Sequence, residues 1–129
     1  MTRPRIWRVR FDEALWQADL RGASASARST AADWRERIAV LRGIPHAELV
    51  ACRAEDDEGL HLPHCVKTRI PNPGSASIRD SPWGAILEIQ HDGDYFLSVL
   101  AFGLRHPEAI GSAKPSVYQV AHGRLVPDA

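Results

Sequence analysis

The sequence has no surplus of charge of either sign: sixteen Lys and Arg stand against sixteen Asp and Glu. Proteins that hold nucleic acid by bulk charge are usually basic overall, so any such contact here must come from a local patch. No apolar run approaches the ~20 residues needed to span a bilayer. Arg8 and Arg10 interrupt the start of the chain, so it does not read as a signal peptide. Only two cysteines occur, Cys52 and Cys65, too few for a disulfide framework. Together these absences suggest reduced thiols and a cytoplasmic protein. Internal repeats and heptads are missing. So are a Gly-rich phosphate loop, a nucleophile elbow, a Cys-x-x-Cys pair and any triad-like spacing of Ser, His and Asp.

What is present is the material of one globular domain: 129 residues, 44% hydrophobic and 25% charged. Charge is unevenly spread, with ten arginines and six acids in residues 1–54 and the acidic run Glu55-Asp56-Asp57-Glu58 after them. Residues 6–11 alternate apolar Trp7, Val9 and Phe11 with Arg8 and Arg10, which predicts a half-buried strand. Asp12 caps a helix over about 13–20. Gly22–Ser29 has no apolar pattern and reads as a small-residue loop. Thr30–Asp33 resembles a capping box for a helix carrying Trp34, Ile38 and Leu41, stopped at Gly43. Pro45 suits a first helical position, so a third short helix is expected over 45–54, followed by a solvated acidic connection at 55–58.

Residues 60–70 suggest a strand that Pro63 confines to an edge. Residues 71–82 and 107–114 read as loops. The clearest local signal is Asp92-Gly93 between two β-branched and aromatic runs, 83–90 and 95–102: an antiparallel hairpin. From Pro115, residues Val117, Val120, Ala121 and Leu125 fall at helical spacing. The order predicts an α+β fold, with an N-terminal strand and helices packed on one face of a small antiparallel sheet and a short C-terminal helix.

Several short segments in this order carry a resemblance: Leu62-Pro63-His64 with Lys67, Leu87-Glu88-Ile89, Ala101-Phe102 followed by Arg105-His106, and Pro115 through Arg124. Over most of its length the chain resembles the HigB-like branch of the RelE/ParE toxin superfamily. That resemblance implies the toxin of a toxin–antitoxin pair, a ribonuclease that uses no metal or other cofactor and acts on translated mRNA at the ribosome. It also implies a cognate antitoxin of helix-turn-helix type. In such chemistry the RNA's own 2′-hydroxyl attacks the adjacent phosphate. Cations stabilise that phosphate, and a positioned group moves the proton. The chain departs from the pattern at Gln90, where the family usually has an arginine.

Lys67 and Arg69 share one face of their strand, and Arg105 and His106 end the returning hairpin strand. With them as the catalytic set, His106 is the acid or base, since an imidazole titrates near ~6.5. Arg79, Tyr118, His122 and Arg124 are the candidate RNA-binding residues, Tyr118 as a stacking surface. Both Lys67 and His106 are expected outside the core. The plainer readings are a solvated sheet face with ordinary cations and a terminal helix packing on the sheet. His61-x-x-His64-Cys65 has zinc-ligating residue types but no standard spacing. Two rival functions stand beside the first. One is a catalytically inactive relative that binds a protein partner, favoured by Gln90 and zero net charge. The other is an unrelated α+β protein of a phage or mobile element.

Overall fold

The computed structural model describes residues 5–71 and 81–125. The first strand is bent at Arg8 into β1 (Ile6–Trp7) and β2 (Val9–Phe11). Asp12 caps α1 (Glu13–Leu20) by accepting from the Leu15 amide at 3.2 Å. The helix α2 (Ala25–Leu41) starts well before the expected capping box. Ser24 is its cap, accepting from the Ala27 amide at 3.1 Å, so the segment 22–29 is mostly helix rather than loop. Its small residues hide the helical stripe but let the helix lie close, with Ala31 fully buried.

Beyond α2 the chain makes β3 (Ile44–Pro45), a 3-10 turn at His46–Glu48, β4 (Val50–Ala51) and a 3-10 turn at Ala54–Asp56. The helix expected over 45–54 is absent because Pro45 takes an extended conformation (ψ 135) and pairs with Ile6. Next come β5 (Cys65–Arg69), β6 (Trp83–Asp92), β7 (Asp94–Leu104), a 3-10 turn at Pro107–Ile110 and α3 (Val117–Leu125). Residues 60–64, before β5, are not strand. Most of the loop expected at 71–82 lies outside the described residues.

Five strands form one sheet in the order β2-β7-β6-β5-β4, with β1 and β3 as a separate two-stranded pair. The hairpin β6–β7 is central, as its turn and alternation predicted, and β7 is the more buried strand. The sheet is not wholly antiparallel, because β2 runs parallel to β7. Nor do the helices share one face. Ala85, Leu87, Leu97, Val99 and Phe102 pack with Trp16, Ala31, Trp34 and Ile38 of α1 and α2. Ile86, Leu100 and Ala101 pack with Val117, Tyr118 and Ala121 of α3 on the opposite face. Consecutive strand residues point to opposite faces, so apolar positions on both sides of the hairpin need two covers.

A register shift after Ile86, where Ile86 faces Ala101 and Leu87 faces Val99, leaves Leu100 as an extra residue on β7. The carbonyl of Leu100 accepts from Arg124 Nη1 at 2.6 Å, and the Phe102 amide donates to Asp19 Oδ2 at 2.9 Å. Arg124 and Asp19 also form a two-pronged ion pair at 3.0 and 2.7 Å. These side chains continue the hydrogen bonding of β7 where β2 has ended. Gly43 is fixed by a close approach: a Cβ there would lie 2.1 Å from the Trp7 carbonyl oxygen.

Candidate functional site

The face of the sheet under α3 is read from register. Cys65, Lys67 and Arg69 alternate on β5 with Val66 and Thr68, and they oppose Glu88, Ile86 and Gly84 of β6. Gly84 in turn faces Gly103 of β7. Where α3 begins, at Val117, these two glycines leave the sheet low. The result is a cleft of about 810 Å³ lined by Lys67, Arg69, Gly84, Arg105, His106 and Tyr118, with Glu48, Val50 and Asp56 among its walls.

Gly84 is what allows Arg105 into the cleft. A Cβ at position 84 would meet Arg105 Cγ at 2.9 Å and Cδ at 3.2 Å, so the arginine stem lies across the bare backbone. The Arg105 amide donates to the Pro82 carbonyl at 2.8 Å, and its Nη1 donates to the Ser81 carbonyl at 3.2 Å. Arg69 opposes the same Gly84 across β5 and β6, so both arginines border that glycine. His106 follows at the rim, exposed, with Nδ1 3.7 Å from Glu108 Oε1 and its ring 6.2 Å from Tyr118.

Lys67 is held by an ion pair. Its Nζ pairs at 2.5 Å with Asp57 Oδ1, and Asp57 is completely buried. The Arg53 amide also donates to Asp57, at 2.8 Å. Asp57 is therefore not part of a solvated connection; it is a buried charge that Lys67 neutralises. Lys67 Nζ also lies 5.7 Å from the centre of the Tyr118 ring.

Of the residues expected to bind RNA, Tyr118 lines the cleft but is only 3% exposed. A ring so buried offers no face for a base; Tyr118 packs α3 onto the sheet. Arg124 is committed to Asp19 and Leu100, and neither it nor His122 lines the cleft. Arg79 lies outside the described residues. Gln90 opposes Phe96, far along β6 from Gly84, and its Nε2 donates to Glu88 Oε1 at 2.9 Å. The position of the family's arginine is thus away from this cleft.

Sequence reasoning did not single out Asp57, Asp19 or Gly84. An isolated glycine in an apolar strand is a known mark of close approach and could have drawn attention to Gly84. The thiols of Cys52 and Cys65 are both pushed up to about 12, first by burial, then by the charge of Asp57 on Cys52 and by Cys52 on Cys65. Such thiols are poor nucleophiles. Among the described residues, one group brings together three metal-ligating side chains: Glu58, His106 and Glu108, all exposed, with ligand atoms within 4.8 Å of one another. His61, His64 and Cys65 do not form such a group.

No helix among the described residues is long and apolar enough to cross a membrane. No protein-family model, curated protein or solved structure matches this chain.

Proposed function

We propose that the protein is the toxin of a toxin–antitoxin pair, a metal-free ribonuclease acting on translated mRNA, with the cleft at Gly84 as its RNA site. One observation carries the reading. Lys67, Arg69, Arg105 and His106, selected from two separate stretches of sequence, line one cleft. In this scheme Arg69 and Arg105 hold the phosphate, and Arg105 is aimed by the carbonyl of Ser81. The 2′-hydroxyl gives up its proton and attacks phosphorus, the bond to the 5′ oxygen breaks, and that oxygen takes a proton. His106, exposed beside Arg105, is the group that moves a proton. Lys67 acts as a positioning residue through Asp57. The partners in this reading are mRNA on the ribosome and a helix-turn-helix antitoxin.

The test is expression alone, followed by cleavage of a single-stranded RNA by the purified protein in the presence of a chelator. Growth should arrest, and the RNA should yield fragments with 2′,3′-cyclic phosphate ends. His106→Ala should slow cleavage on the order of a hundredfold without shifting the thermal midpoint. A folded protein that neither binds nor cuts RNA sinks the proposal.

A second reading, a protein-binding relative without chemistry, has its own support. Lys67 is occupied by Asp57, and Glu48 and Asp56 stand in the cleft wall. RNA binding without cleavage products, or no RNA binding together with capture of a partner protein in the cleft, would favour it.

A further inference from the structure

A second groove of about 450 Å³ runs along β2, at the opposite edge of the five-stranded sheet from β4 and β5, which border the Gly84 cleft. Its lining is Arg8, Val9, Arg10, Phe11, Arg35, Ile38, Ala39, Arg42 and Gly43. Four arginines line it, and none of the described lining residues is acidic. β2 is the terminal strand of the five-stranded sheet, so the edge away from β7 has no strand of that sheet beside it among the described residues. A bare edge of this kind can accept a further strand.

The arginines are arranged about that edge by strand periodicity. Val9 and Phe11 turn to the core under α2, and Arg8 and Arg10 turn to the opposite face, where Arg10 lies 3.9 Å over the Phe96 ring. Arg35, from α2, is already held by the Glu13 carboxylate in a two-pronged ion pair, whereas Arg42, just past the end of α2, is exposed beside the groove, so each side of the edge carries a guanidinium group open to a ligand. Arg8 and Arg10 are held only loosely, by Asp94 at 3.7 Å and Asp92 at 3.9 Å in pairs more than half exposed. Exposed pairs of this length hold little and yield readily to a better-placed carboxylate.

We propose that this groove binds an extended acidic segment of a partner protein by strand addition to β2. In an added strand, alternate side chains face opposite sides. Carboxylates on one side meet Arg8 and Arg10. Aliphatic side chains on the other meet Val9 and Ala39, with a further acid reaching Arg42. A single-stranded nucleic acid fits less well. The Phe11 ring is already covered by Arg35 at 4.2 Å and by Trp16 and Trp34 at 5.0 and 6.0 Å, leaving no open ring for a base. This inference does not depend on the function proposed for the other cleft.

The test is fluorescence anisotropy with a labelled peptide, four Glu-Ile repeats, against the full chain. The peptide should bind, and more weakly as salt rises. Arg8→Glu and Arg42→Glu, both exposed positions on opposite sides of the edge, should each weaken it about tenfold or more. N-methylation of alternate peptide amides, which leaves the protein untouched and the charges intact, should weaken it by a similar factor if the strand is added. Arg105→Ala, in the other cleft, should leave peptide affinity unchanged. Equal affinity for the N-methylated peptide, or stronger competition by oligouridylate than by acidic peptide, overturns the proposal. So does no binding at all, which would leave the arginines as a charged guard on an exposed edge.

Discussion

The two faces of the sheet are covered in different ways. Beneath α1 and α2 the cover is made of rings: Phe11, Trp16, Trp34 and Phe102 touch edge to face or tilted at 5.0 to 6.0 Å, and Trp83 stacks on Phe102 at 5.6 Å. Beneath α3 it is made of Leu62, Ile86, Leu100, Val117 and Ala121, with one ring, Tyr118. Large rings close the first face. A nine-residue helix cannot close the second, which is secured by two largely buried ion pairs, Arg124–Asp19 and Lys67–Asp57. The difference teaches where a site can lie. The cleft opens on the face whose hydrophobic cover runs out, and the charges that finish that cover look, in the sequence, like charges available for a ligand.

The sharpest way to break this comparison is Arg124→Ala. Asp19 is only 8% exposed as a side chain and would lose its partner, while the Leu100 carbonyl at the bulge would lose its donor. Asp19 would keep the Phe102 amide as a donor but lose its counter-charge, so about 3–5 kcal/mol of stability should be lost in a denaturant titration. RNA affinity of the folded fraction should be unchanged. If Arg124→Ala is as stable as the parent, ion pairs do not secure the α3 face.

A smaller loss, about 2–3 kcal/mol, is expected for Lys67→Ala, because Lys67 gives Asp57 a single hydrogen bond where Arg124 gives Asp19 two and the Leu100 carbonyl a third. Lys67, expected outside the core, is therefore tied to it through Asp57. Lys67→Met with Asp57→Leu should recover most of the loss, since a matched apolar pair needs no desolvation. The double variant also sharpens the functional reading. If it is stable yet cannot bind RNA, the Lys67 charge itself serves the ligand.

How much of this was legible depends on distance along the chain. The hairpin could be read because its turn, Asp92-Gly93, and its alternation are local. The start of α2 could not, because Ala25 to Ser29 carry no apolar stripe and the helix is set by the Ser24 cap and by close packing of small residues. Pro45 fits a helix start or an extended strand, and only pairing with Ile6 decides between them. Lys67 with Arg69, and Arg105 with His106, could be chosen from sequence. That they meet depends on Arg69 opposing Gly84 and on Arg105 crossing it, a register between segments that no local pattern encodes. That Tyr118 packs against the sheet and Arg124 pairs with Asp19 was hidden for a related reason. Helical spacing tells which residues share a face, not which face meets the sheet.

A smaller effect, again confined to the α3 side, concerns the two thiols. Burial raises Cys52 and Cys65 from 9.0 to about 12, so the folded protein favours their protonated forms. An unfolded thiol ionises near pH 9, and the contribution is therefore complete below that pH. It is lost progressively as pH rises from 9 towards 12. Stability should fall over that window in the parent and less in Cys52→Ala with Cys65→Ala. Alkylation at pH 8 should be slow until denaturant is added. Rapid alkylation of the native protein would mean that this side of the sheet opens.

The smallest expected effect is at Gln90, and it tests where the site is. Gln90 is six residues from Gly84 along β6, about 20 Å at ~3.3 Å per residue. At physiological salt the screening length is about 8 Å, so a charge placed there scarcely reaches the cleft. Its nearest partner is Glu88, already bonded to the amide of Gln90 and able to take a guanidinium instead. Gln90→Arg should therefore change stability by less than about 0.5 kcal/mol, and RNA binding and cleavage should stay within about twofold because neither the cleft's cations nor its shape is altered. A large gain in cleavage would move the reacting phosphate to the far end of β6. Arg69, Arg105 and His106 would then be bystanders, and the cleft at Gly84 would lose its claim to the chemistry.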